Sequence, residues 1–149
     1  MPTIREFMTE HHKQCDELFV DAESAVDNDQ WDVVQSKWPL CHNEIETHFQ
    51  REEEVLFPEF ESVTGMTGGP TQMMRIEHQQ IRELFKEMDK AVKAKDKVNY
   101  LGLSETLMVT MQQHNMKEEQ MLYPMIDGEI ASKDELITTL ASYHAEGLL

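Results

Sequence analysis

Two stretches decide the fold, HFQREEEVLFP at residues 48–58 and HNMKEEQMLYP at residues 114–124. Each sets a histidine four residues before a glutamate and closes on a proline. On an α-helix, residues four apart lie one above the other within about 6 Å, so His48 with Glu52, and His114 with Glu118, can each reach one cation. The shift of 66 positions that carries residue 48 onto 114 also carries FMTEHHKQCDELFV (7–20) onto MMRIEHQQIRELFK (73–86). Without gaps it pairs Met8 with Met74, His12 with His78, Leu18 with Leu84, Phe19 with Phe85, Leu56 with Leu122 and Pro58 with Pro124. An internal duplication accounts for this register.

Outward from these stretches the periodicity is helical. Ile4, Met8, His12, Cys15, Phe19, Ala22 and Val26 recur at three- and four-residue spacing, as do Cys41, Ile45, His48, Glu52, Val55 and Leu56. The second half repeats the pattern with Met74, His78, Ile81, Phe85, Met88 and Val92, then with Leu107, Met111, His114, Glu118, Met121 and Met125. Breaks fall at Asp27–Asp29, at the Gly65–Pro70 cluster, and around Lys95–Asn99. Short connections favour antiparallel neighbours. The expected fold is all-α: an up-down-up-down antiparallel four-helix bundle with internal pseudo-two-fold duplication. The expected organisation is one domain over 1–149, with halves of about 4–62 and 70–126 and a C-terminal tail over 127–149. The tail from Ser132 has room for a short fifth helix. Pro39 is expected to kink or delay the second helix, and Pro58 and Pro124 to disturb the ends of the second and fourth.

Composition narrows the function. The 149 residues carry 13 Lys+Arg against 29 Asp+Glu, and a net charge of −16 without a basic stripe makes nucleic acid and anionic membrane poor partners. The start, MPTIREFMTEHH, lacks a basic n-region and an apolar h-region, and no run is apolar enough to span a bilayer. A cytoplasmic location is expected, and the two cysteines, Cys15 and Cys41, are expected to be reduced, buried thiols.

His12, His48, Glu52, His78, His114 and Glu118 lie on the stripes that carry Ile, Leu, Met and Phe. A carboxylate there is unfavourable unless paired or bound to a metal, and no lysine or arginine recurs on those stripes. Four imidazoles and two carboxylates converging at one level suit a pair of first-row transition ions, with the carboxylates spanning between them. Iron, manganese, zinc and cobalt all accept such donors. His11 competes with His12, but only His12 has a histidine in the other half. Glu53 and Glu119 are turned off the shared face and read as supports for the ligands. Tyr123, matched by Phe57, reads as packing, and the helix-four methionines read mostly as core filler.

With HFQREEEVLFP and HNMKEEQMLYP as they stand, the chain resembles the hemerythrin-like, histidine–histidine–glutamate cation-binding domains over about residues 4 to 126. The resemblance implies two non-haem irons with an oxo or hydroxo bridge. It gives His12, His48, His78 and His114 as terminal ligands and Glu52 and Glu118 as carboxylate bridges. Oxygen-carrying members have a fifth histidine one turn from the position of His78, where this chain has Met74 or Arg82. The resemblance then implies open coordination positions and reactive binding of O2, NO or peroxide rather than reversible O2 carriage. His42, Glu44 or His144 could restore the count, although neither His42 nor His144 has a counterpart in the other half. The implied function is a di-iron module for a small diatomic ligand or peroxide, in sensing or in oxidative or nitrosative stress. The enzymatic alternative is peroxidase-like or NO-reducing turnover, or iron donation to iron–sulfur cluster repair. A monomer or homodimer is expected, with the redox partner open. The ferritin-like pattern is absent, because no histidine has a glutamate three residues before it.

Overall fold

The computed structural model of the chain describes residues 2–143, and all regular structure among them is helical. Helix α1 (Ile4–Asp27) opens on a reciprocal cap, the Thr3 hydroxyl accepting from the Glu6 amide at 3.0 Å and the Glu6 carboxylate from the Thr3 amide at 3.1 Å. Asp127 adds to this start by accepting from the Ile4 amide at 2.8 Å. Helix α2 (Trp31–Arg51) runs into a π-helical turn, Glu52–Leu56, and on through α3 (Phe57–Thr64), which stops at Gly65 with φ of 74°. The second half repeats this order: α4 (Pro70–Ala94), α5 (Lys97–Lys117), a π-helical turn at Glu118–Leu122, and α6 (Tyr123–Glu129). A last helix, α7 (Lys133–Ser142), occupies the tail, as its sequence had room for.

Helix α1 packs along α2 and α4 along α5, and the two hairpins meet through α1 against α5 and α2 against α4. Two apolar clusters fill the interior. One holds Trp38, Cys41, Ile45, Phe85, Tyr100 and Leu107; the other holds Ile4, Met8, Leu56, Phe57, Met74 and Ile126. Along α1 the order is Met8, His12, Cys15, and along α4 it is Met74, His78, Ile81. Each histidine thus stands where one cluster gives way to the other, and the layer between them is the polar one.

The prolines act at two kinds of place. Pro39 lies inside α2, which starts at Trp31 and is not delayed to the proline. Pro58 and Pro124 do not end their helices. The helix widens just before each one, the Phe57 amide donating to the Glu52 carbonyl and the Tyr123 amide to the Glu118 carbonyl. A widened turn is a natural place for a residue that lacks an N–H and crowds the carbonyl four before it. The extra residue rotates the rest of the helix by about 100°. This overturns the expected continuation of the helix-four stripe. Met121 is 63% and Met125 39% exposed, while Leu122, Tyr123 and Ile126 turn inward. Among the described residues no helix is long and apolar enough to cross a membrane.

Candidate metal centre

All six residues picked out by the spacing meet in the polar layer, and all are buried: His12 on α1, His48 on α2, His78 on α4, His114 on α5, and Glu52 and Glu118 at the first positions of the two π-helical turns. Their inward atoms form two groups. Glu52, His78, His114 and Glu118 bring donor atoms within 4.8 Å of one another, as do His12, His48 and Glu118. In the first group His78 Nε2 lies 3.1 Å from Glu52 Oε1, and His114 Nε2 lies 3.4 Å from Glu118 Oε2. The two imidazoles face each other there, Nε2 to Nε2 at 3.2 Å. In the second, His12 Nε2 is 3.1 Å and His48 Nε2 3.9 Å from Glu118 Oε1. Glu118 therefore presents one oxygen to each group.

The outward ring nitrogens explain why these Nε2 atoms aim inward. Nδ1 of His12 meets Glu119 at 2.6 Å, Nδ1 of His78 meets Glu53 at 2.6 Å, and Nδ1 of His114 meets Glu77 at 2.8 Å. With Nδ1–H donating to a carboxylate, each imidazole in its neutral form keeps the Nε2 lone pair for the interior, the tautomer that metal-binding imidazoles use. Arg82 holds Glu53 and Lys117 holds Glu77 in turn. Phe49 stacks on the His78 ring at 3.9 Å between centroids. His48 is the exception: its Nδ1 meets His11 Nδ1 at 2.8 Å, and His11 Nε2 donates to Glu44 at 2.6 Å. His11 occupies the position that Glu77 occupies in the other half of the repeat, and it does the same work through one further ring.

The electrostatics describe a site that holds protons where it lacks a cation. Burial drives Glu52 well above the carboxylate range and the Glu118 charge drives it further, whereas His114 and hydrogen bonds with Glu52 and His12 overcome burial and hold Glu118 down. Burial lowers His12, but hydrogen bonds with Glu118 and Glu119 outweigh it and hold the imidazole up at about 9. His78 and His114 are raised in the same way against burial, His78 mainly by Glu52 and His114 mainly by Glu118. His48, with no outer carboxylate touching it, is driven well down by burial and by the neighbouring His12. Among the described residues, two buried carboxylate oxygens, Glu52 Oε1 and Glu118 Oε2, have no hydrogen-bond partner. Buried unpaired oxygens beside inward imidazole lone pairs fit a bound cation.

Across residues 3–126 the chain matches the family model of the hemerythrin HHE cation binding domain. The chain belongs to that family. Neither a curated protein nor a solved structure matches it. The resemblance read from the two HxxxE stretches is thus shown, and this hemerythrin-type domain holds its buried His/Glu cluster at the level the repeat marks.

The other candidate positions have different surroundings. Arg82, at one of the two positions for a fifth histidine, pairs with Glu46 and Glu53, and Met74, at the other, is buried in the apolar cluster beside Met8. His42 packs against Trp38 and Phe85 with its Nδ1 3.5 Å from Asp89, away from the cluster. Glu44 supports His11, and His144 lies outside the described residues. Cys15 and Cys41 are buried, and burial pushes both thiols up, Cys41 to about 12, so they are inert packing residues.

One sequence reading is corrected. Tyr123, read as packing, puts its hydroxyl at the centre of the cluster, where it donates to Glu52 Oε2 at 2.7 Å and lies 3.0 Å from Glu118 Oε1. The signal was present in the repeat, since Tyr123 and its partner Phe57 differ only by that oxygen. Beside the cluster, a cavity of about 550 Å³ opens between α1 and α5, walled by Phe19, Leu107 and Met111 and bounded by Glu119, the support of His12.

Proposed function

We propose that the chain is a hemerythrin-type four-helix bundle, one domain with halves of about 4–62 and 70–126, that holds two iron ions and binds O2, NO or a related small ligand. The observation that carries this reading is the buried donor set itself: four inward Nε2 atoms and two carboxylates, two of whose oxygens have no hydrogen-bond partner among the described residues. His78 and His114 would hold one ion and His12 and His48 the other, with Glu52 and Glu118 as the carboxylates between them. Bound there, ferrous ions would supply electrons and open positions for a diatomic ligand.

The chain's own residues set the conditions. Glu53, Glu77 and Glu119 fix the tautomer of three imidazoles and raise their basicity. Burial keeps bulk water off the layer, and the neighbouring cavity offers Phe19, Leu107 and Met111 to a small uncharged ligand alongside the carboxylates of Asp16 and Glu119. With Met74 and Arg82 at the fifth-histidine positions, no imidazole from α4 beyond His78 enters the cluster. That favours reactive ligand binding, in sensing or in oxidative or nitrosative stress, over O2 carriage. Exposure of the iron-loaded protein to O2 and to NO tests this. New visible absorption with either gas is expected; an unchanged spectrum with both would remove the small-ligand reading.

A further inference from the structure

We propose that the phenolic oxygen of Tyr123 is the fourth donor to the cation held by His12, His48 and Glu118. This rests on the reading of the cluster as a cation site and extends it to a residue outside the His/Glu set. Two observations carry it, the distances around the hydroxyl and the number of polar atoms that crowd it.

The geometry is that of a ligand set. Tyr123 Oη lies 3.0 Å from Glu118 Oε1, 3.1 Å from His48 Nε2 and 3.4 Å from His12 Nε2. Donors about 2.0–2.2 Å from a shared ion stand roughly 2.9–3.5 Å from one another. The first group has four residues around its gap; the second has three without the phenol and four with it.

The crowding of the hydroxyl points the same way. Two carboxylate oxygens and two imidazole nitrogens surround Oη, yet the hydroxyl has one proton, which goes to Glu52 Oε2 at 2.7 Å. His12 and His48 turn Nδ1 outward to Glu119 and His11, so both Nε2 atoms face Oη. A cation in the second group replaces the phenolic proton, which leaves to solvent, and frees Glu52 Oε2. The phenol donates its proton to Glu52 Oε2, so a tyrosinate in this protein would report an occupied site. Phe57 stands at the matching place in the other half, and the two ions are therefore inequivalent.

The test uses the whole chain, which contains three tyrosines, Tyr100, Tyr123 and Tyr143. Protein loaded with ferrous iron and oxidised with ferricyanide is expected to show a visible charge-transfer band with enhanced tyrosine ring modes in resonance Raman. Tyr123→Phe is expected to lose both, while Tyr100→Phe and Tyr143→Phe keep them. Independently of iron redox chemistry, adding Zn2+ to metal-free protein at neutral pH is expected to give an ultraviolet difference spectrum of one tyrosinate per chain, absent in Tyr123→Phe. If Tyr123→Phe does not fold, the signatures of wild type and of the other two variants decide by elimination. Metal uptake without either signature, or signatures that persist in Tyr123→Phe, overturns the proposal alone. Wild-type protein that takes up no metal overturns the cation site as well.

Discussion

Stability of the metal-free protein should fall as pH rises from about 6.5 to about 9, the reverse of what the bound metal should do. The cause is His12, whose imidazole is held at about 9 in the fold against 6.5 in an unfolded chain. A group whose pKa is raised by folding contributes stability that is fully present below its unfolded value and lost as pH climbs through the folded one. At about 1.4 kcal/mol per pH unit, that difference is about 3 kcal/mol. His78, His114 and Glu52 are also raised and act in the same direction. For a chain of this size, 3 kcal/mol corresponds to a drop of roughly 10 °C in the unfolding midpoint. Thermal unfolding followed by circular dichroism with a chelator present measures it, and the fall should shrink in His12→Gln. Metal-loaded protein should gain stability over the same range, since the metal needs the deprotonated donors. A metal-free midpoint that stays level or rises would refute the reasoning.

Three substitutions probe separate links. Glu118→Ala removes a carboxylate shared by both donor groups, so metal content should drop from two ions per chain to less than one while the helical circular dichroism persists. Glu53→Gln weakens the acceptor behind His78 Nδ1, and a competitive chelator titration should show metal affinity reduced by about 10–100-fold. Phe85→Ala empties a buried site in the apolar cluster beside Trp38 and should cost about 3–5 kcal/mol in urea unfolding, with metal stoichiometry unchanged.

The helical architecture was legible because a 3.6-residue period and a 66-position repeat both depend only on residue order. The breaks at Asp27–Asp29 and Gly65–Pro70, and the last helix after Ser132, arise from local chemistry and are where that chemistry puts them. The six inward residues were legible for the same reason, each lying within an unbroken stretch of α-helix or at its end. Past Glu118 the reading failed, because periodicity assumes a constant turn and the π-helical turn shifts the phase. That shift exposes Met121 and swings Tyr123 into the cluster.

The groups behind the imidazoles were only partly legible. Glu53 and Glu119 read as supports, but which histidine each one holds depends on the approach of two helices: Glu53 reaches His78 from the other half, and Glu119 reaches His12. His11 looked like a rival of His12, and its role became clear only with His48 and Glu44 placed around it.

The central claim, a two-iron centre in this layer, is tested most directly by elemental analysis of the protein purified from its native host. The account predicts close to two irons per chain, lost together in Glu118→Ala. Protein that is folded and free of iron, or that carries zinc in its place, would contradict it.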